Sequence, residues 1–271
     1  MKLIYPQVVV LTGAGISAES GISTFRDQNG LWQNHRIEEV ASPDAFRRNP
    51  AMVHQFYNQR RAQLQLPEIQ PNAAHLALAE FEKVQTEAGG RFTLISQNVD
   101  DLHQRAGSQN LLSMHGQLLR ARCSLSGQTQ AWSGTLSLED KCSCCDPVQA
   151  LRPDIVWFGE TPYHLDACYK AVEQADLFIS IGTSGRVYPA AGFLDAAESA
   201  YCIELNMEKT SPDFEDGLYG PATQVVPSRY QSNFPCSLDS LHCTSANSAA
   251  FDHAHRTPAF LPSWLPDKVP G

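Results

Sequence analysis

The chain has 271 residues, 42% hydrophobic and 18% charged, which is enough apolar material for a substantial globular core. Twenty Lys and Arg against 29 Asp and Glu leave a net charge of −9, which argues against nucleic-acid or anionic-membrane partners and suits a cationic protein or peptide. There is no apolar run long enough to span a bilayer and no signal-peptide core followed by a cleavage site, so a cytoplasmic location is expected.

In chain order, QVVVLT (7–12) reads as a strand of the kind buried in parallel sheets. It opens into Gly13-Ala14-Gly15-Ile16-Ser17-Ala18, which fits the G-x-G-x-x-[GA] pattern whose bare backbone can approach a pyrophosphate. A second strand ending in an acidic residue is then expected; the polar loop STFRDQNGLW follows instead, which implies that a nucleotide is held in an unusual way. Residues 34–67 read as helices without a strand, bounded by Pro43, Pro50 and Pro67. Within them Val53, Tyr57, Arg60 and Leu64 share one helix face, and an arginine in an apolar stripe calls for a partner. Spacing alone equally permits a solvated basic helix, because Arg61 follows and Gln59 and Gln63 flank the pair.

A helix over NAAHLALAEFEKV (72–84) and strands at RFTLIS (91–96), DLFISI (176–181), YCIEL (201–205) and TQVV (223–226) complete the alternation of a parallel α/β sheet. The fold expected is a Rossmann-like parallel sheet built from residues 1–33, 68–117 and 154–235. A small domain would comprise a helical insert, 34–67, and a cysteine-bearing insert, 118–153. The Pro- and Ser-rich tail after Pro227, and 236–271 above all, is atypical; its Cys236, His242, Cys243, His253 and His255 fit no familiar metal site.

Three predicted strands run into small or amide-bearing polar residues: Gln97-Asn98-Val99-Asp100, Gly182-Thr183-Ser184 and Asn206. Ligands of open α/β sheets bind beyond the carboxyl ends of strands, so these residues and the glycine loop point to one crevice. Cys123-x-x-Ser126 and Cys142-x-Cys144-Cys145 resemble two zinc knuckles about 20 residues apart, with serine where the fourth thiolate should stand. Zinc on Cys123, Cys142 and Cys145 is expected, in a structural role, and Cys144 could replace the missing ligand. His115 is followed by Gly116, which allows close approach, and precedes the cysteine insert. His35, His54, His75, His103 and His164 read as structural or surface residues.

GAGISAESGISTFR, SQNVDDLH, MHG, the cysteine pairs, WFGE, GTS and ELN occur in that order, and from Val8 to about Val226 the chain resembles a bacterial-type sirtuin. The resemblance implies an NAD-dependent protein-lysine deacylase acting on acylated-lysine proteins or peptides, with no nucleic-acid or membrane partner. Gly13 to Trp32, including Ala14, Gly15, Ala18, Phe25 and Arg26, would form the cofactor loop. Gln97, Asn98 and Asp100 would hold the ribose and nicotinamide amide, with Asn98 and the general base His115 catalytic. Gly182, Thr183, Ser184, Asn206 and Ala222, at the last strand, would complete the adenosine side. Phe158, Gly159 and Val187 would flank the substrate. Products would be free lysine, nicotinamide and acyl-ADP-ribose. Tyr57 and Arg60 match the Tyr-x-x-Arg of the branch that prefers succinyl and malonyl groups, whose terminal carboxylate both side chains could bind. Ser126 and the tail depart from the family pattern. A mono-ADP-ribosyltransferase, which also cleaves NAD, is the nearest alternative activity; a nicotinamide dehydrogenase or a zinc-knuckle binding module would be further alternatives.

Overall fold

The computed structural model describes residues 3–22, 31–32 and 35–233, all within one unit, Met1–Pro235. Phe25, Arg26, the side chain of Trp32 and the tail's cysteines and histidines lie outside the described residues. Strand β1 (Gln7–Thr12) coincides with the expected run. Val8 and Val10 join one core with Leu78 and Phe81, and Val9 and Leu11 join another with Val172 and Phe193. Burial on both faces is why this strand is apolar without alternation.

After β1, Ala14–Ser20 form a 3-10 helix, and β2 (Leu31–Trp32) pairs antiparallel with β3 (His35–Arg36). The region 34–67 therefore contains a short strand in addition to helices α1 (Ile37–Val40), α2 (Pro43–Arg48) and α3 (Pro50–Leu64). Pro43 and Pro50 each open a helix, where the missing N–H costs no bond, and the side chains of Ser42 and Asn49 cap them. Helix α4 (Ala73–Glu87), β4 (Arg91–Ser96), α5 (Leu102–Ala106) and β5 (Leu111–Ser113) follow.

Strands β6 (Gly116–Cys123), β7 (Thr129–Ala131) and β8 (Leu151–Ile155) form a separate antiparallel sheet, ordered β7-β6-β8. Boundaries drawn at 117/118 and 153/154 fall inside β6 and β8. The chain continues through α6 (Leu165–Glu173), β9 (Leu177–Ile181), α7 (Phe193–Ala196), β10 (Tyr201–Asn206), β11 (Asp216–Tyr219) and α8 (Ala222–Asn233). The large sheet is wholly parallel and ordered β11-β10-β9-β1-β4-β5. By chain rank this is the Rossmann order, whose switch point lies at the carboxyl ends of β1 and β9.

One expected strand is a helix. TQVV (223–226) lies in α8, and the edge position belongs to β11, whose DGLY has too little apolar content to announce itself. Gly220, at φ +153°, and Pro221 redirect the chain after β11. Ala222 and Val226 then pack sideways onto the core with Ile16 and Leu205. Ala222 thus starts a helix instead of ending a strand, and the helix continues through Pro227 to Asn233, where an atypical tail was expected. Among the described residues no helix is long and apolar enough to cross a membrane.

Candidate active site

Register places the strand ends together. Thr12 pairs with Ser96 and with Ile181, and Ile181 pairs with Leu205. Gly13, Gln97 and Gly182, just past β1, β4 and β9, and Asn206, the last residue of β10, therefore stand in one row at the carboxyl ends of these strands. Gln97 Nε2 donates to Thr183 Oγ1 at 3.0 Å, and Asn206 Nδ2 donates to the Thr183 carbonyl at 2.8 Å. Ser184 is half-buried in the same turn, and Ala18 is exposed. The glycines interlock loop with loop: Gly182 has φ +60°, and a Cβ there would sit 2.6 Å from the Ile16 nitrogen. A Cβ on Gly13 would lie 2.8 Å from Thr183 Cβ. Close packing of backbone on backbone is thus one reason for the glycine pattern.

Ser17, Asn98 and Asp100 meet behind this row. His75 Nδ1 accepts the Asn72 N–H at 3.3 Å, so the neutral ring carries its proton on Nε2, 3.4 Å from Ser17 Oγ. Ser17 also accepts from Asn98 Nδ2 at 3.2 Å and donates to Asp100 Oδ2 at 3.0 Å. One hydroxyl hydrogen and two lone pairs are then fully used. Asn98 gives its amide a second bond, to the Gly13 carbonyl at 3.1 Å. His103 Nε2 pairs with Thr12 Oγ1 at 3.0 Å, and its ring lies edge-on to His75, centroids 4.9 Å apart. Burial lowers the pKa of His75 to about 4 and that of His103 to about 3, and raises that of Asp100 to about 6. Sequence reading placed neither Ser17 nor His75 in this network. The Asn72–His75 capping spacing was its only local sign.

His115 lies where the sheets adjoin, between β5 and β6. Its carbonyl accepts the Val156 N–H at 2.9 Å, and its Nδ1 lies 2.9 Å from the Gln97 carbonyl. A carbonyl can only accept, so Nδ1 carries the proton, and in the neutral ring Nε2 is the basic atom. Burial lowers its pKa, partly offset by the Gln97 carbonyl, which favours that neutral form near pH 7. Gly116, at φ +85°, lets β6 press against β8: a Cβ there would stand 2.1 Å from the Asp154 carbonyl.

Helix α3 buries the stripe: Val53, Tyr57, Arg60 and Leu64 are at most 6% exposed. This excludes a solvated basic helix, since Arg61 is 1% exposed as well. Arg60 donates Nη1 to the Phe56 carbonyl at 2.6 Å, and its guanidinium carbon stands 3.2 Å from the Phe56 ring centroid. Burial lowers its pKa to about 10, with Tyr57 acting in the opposite sense, so it remains charged near pH 7. Burial also raises the Tyr57 pKa, so that hydroxyl remains protonated. Phe158 is about half exposed, its N–H bonded to the Ala41 carbonyl at 2.9 Å; Gly159 turns at φ +89°, and Val187 is half-buried.

The sulfurs of Cys123, Cys142, Cys144 and Cys145 all lie within 4.8 Å of one another, with Cys123–Cys145 and Cys144–Cys145 at 3.7 Å. Tetrahedral zinc with Zn–S bonds of about 2.3 Å separates its sulfurs by about 3.8 Å, so the cluster fits that ion. Cys144 supplies the sulfur that the C-x-x-S pair lacks. Ser126 supports the cluster instead: its Oγ is 3.1 Å from Cys144 Sγ, and its N–H donates to Cys123 Sγ at 3.4 Å.

A Rossmann-ordered sheet with polar groups at its switch point, joined to a second sheet whose strand β6 and β7–β8 connection bring four cysteines together, defines a dinucleotide-using α/β enzyme with a cysteine cluster that fits zinc. The chain belongs to the Sir2 family, whose model matches residues 13–189. It is 58% identical to an NAD-dependent protein deacylase of Salmonella typhimurium over 226 residues, 82% of each chain. It is 37% identical to a mutant Sir2 homologue in complex with ADP-ribose, at a TM-score of 0.78 over 88% of this chain and 96% of that one. A Sir2 homologue–NAD complex is 38% identical, with a TM-score of 0.75 over 85% of this chain and 90% of the other.

Proposed function

We propose that this NAD-dependent protein deacylase uses His115 as its general base and Tyr57 with Arg60 to accept acidic acyl-lysines. The observation that carries the base assignment is the bond from His115 Nδ1 to the Gln97 carbonyl, which leaves Nε2 to take up a proton at neutral pH. Gln97, Thr183, Ser184 and Asn206 offer amide and hydroxyl groups at the carboxyl ends of the strands, a donor and acceptor set suited to a dinucleotide. NAD, when bound, supplies the ribose that receives the acyl group. Asn98 and Asp100 are held in fixed orientation by Ser17, and orientation set before binding is what a positioning group contributes to rate. Phe158, Gly159 and Val187 lie on segments whose backbone could receive an extended peptide. The four cysteines would hold zinc as a structural ion.

Acyl preference rests on α3. Arg60 and Tyr57 stand one turn apart and buried, and a desolvated guanidinium gains most from a carboxylate. Mass spectrometry of acetyl- and succinyl-lysine peptides, with and without NAD, tests the activity. Arg60→Met should then cost desuccinylation far more than deacetylation; equal losses would remove the acidic-acyl assignment while leaving the deacylase standing.

A further inference from the structure

The Tyr57 hydroxyl oxygen lies 3.0 Å from the indole Nε1 of Trp157, and these side chains are 0% and 2% exposed. An indole N–H only donates, so the phenol oxygen must accept, and its own hydrogen is directed away from Trp157. The indole is fixed from behind. The Arg152 guanidinium carbon stands 3.3 Å from the Trp157 ring centroid, and Arg152 grips both oxygens of Glu160 at 2.7 and 2.9 Å. Glu160 Oε2 accepts the Trp157 backbone N–H at 2.9 Å, and Arg122 binds Glu160 Oε1 at 2.8 Å. This clamp confines the indole from its backbone and from its face. A hydroxyl that accepts one bond is polarised toward donating another, more strongly in a dry interior than in water.

We propose that Trp157 is a specificity-determining positioning residue: its indole N–H holds the Tyr57 hydroxyl as a donor toward the terminal carboxylate of an acidic acyl-lysine. This rests on assigning Tyr57 and Arg60 to that carboxylate. A merely packing role would need the ring but not its N–H, and would not distinguish one acyl group from another.

The test compares Trp157→Phe, Tyr57→Phe and the double variant on succinyl- and acetyl-lysine peptides in the full chain, with Arg60→Met alongside. Loss of one buried hydrogen bond lowers kcat/KM roughly three- to tenfold, and Trp157→Phe should show this for succinyl-lysine with a much smaller loss for acetyl-lysine. In the Tyr57→Phe background it should add little further selectivity loss, because the two act through one hydroxyl. Equal losses on both peptides, or full additivity in the double variant, would overturn the role of Trp157. If Arg60→Met is selective and Trp157→Phe is not, only this proposal falls; if Arg60→Met is itself unselective, the acidic-acyl reading falls first. Should Trp157→Phe fail to fold, the wild-type protein decides. Its Trp157 indole N–H resonance, one of four and assigned by substituting the other three, should shift with succinyl-lysine peptide and not with acetyl-lysine peptide. An unmoved resonance under saturating succinyl-lysine peptide would overturn the proposal.

Discussion

Acidification from pH 7 to pH 5 should destabilise the protein through three histidines buried in the neutral form. His54, His75 and His103 are at most 3% exposed, with pKa values lowered by burial to about 4, 4 and 3. Each takes up a proton in the unfolded chain near pH 6.5 but not in the folded one until much lower. Their stabilisation is therefore complete above pH 6.5 and is lost progressively as the pH falls toward 4. With these values each histidine costs about 2 kcal/mol at pH 5 relative to pH 7. Asp100 acts in the opposite sense: its pKa, raised by burial to about 6, makes the folded state bind the extra proton, returning about 1 kcal/mol. The net loss is about 5 kcal/mol, a large part of the stability of an ordinary domain. Urea unfolding at both pH values measures it, with zinc content followed to separate out metal loss. Histidine resonances followed by NMR give the folded-state titrations directly. A change under about 1 kcal/mol with metal retained, or folded-state titration of His75 and His103 near pH 6.5, would refute the reasoning.

Two further substitutions follow from the site. Ser17→Ala strips His75 Nε2–H and Asn98 Nδ2–H of a shared acceptor and Asp100 of a donor, so kcat/KM should fall roughly tenfold or more. Steady-state assays should show that loss for acetyl- and succinyl-lysine alike; undiminished activity on both would rule the network out as a positioning device. Cys144→Ala should lower bound zinc per chain and the melting temperature, read by metal analysis and calorimetry, while Ser126→Cys should not. Full zinc retention in Cys144→Ala would exclude Cys144 as a ligand.

Much of the sheet was legible because its central strands are buried on both faces. QVVVLT, RFTLIS and DLFISI are rich in apolar residues, and the glycine or amide residue just beyond each, Gly13, Gln97 and Gly182, marks where a ligand can bind. DGLY failed to register because an edge strand needs little apolar content, and TQVV deceived because two adjacent valines suit either a strand or a helix that packs sideways. The Ser17 network was hidden for another reason: a serine, an asparagine and a histidine become one unit only when β1, α4 and the end of β4 meet. Cys144 was legible as a spare thiol, but its choice over Ser126 depends on chain geometry.

Helix α3 shows most clearly how a local pattern acquires its meaning from distant backbone. Beside the face that carries Tyr57 and Arg60 lies a second row, Asn58, Arg61 and Gln65. Asn58 exchanges two bonds with the backbone of Leu136, donating to its carbonyl and accepting its N–H, each at 2.9 Å. Arg61 Nε donates to the Leu118 carbonyl at 2.8 Å, and Gln65 Nε2 to the Ser133 carbonyl at 2.8 Å. None of these acceptors has a sequence signature, since every residue carries a carbonyl. Ser133 and Leu136 lie in the segment between Cys123 and Cys142, so the cysteine-bearing lobe grips the same helix that bears Tyr57 and Arg60. The position of Arg60 is thereby set from two sides, by Phe56 within α3 and by the bonds that hold α3 to the second sheet's loops. Arg60 on its apolar stripe is the charged end of a frame fixed within α3 and from the second sheet's loops, and such fixed placement is what the acyl-selective role proposed for it would require.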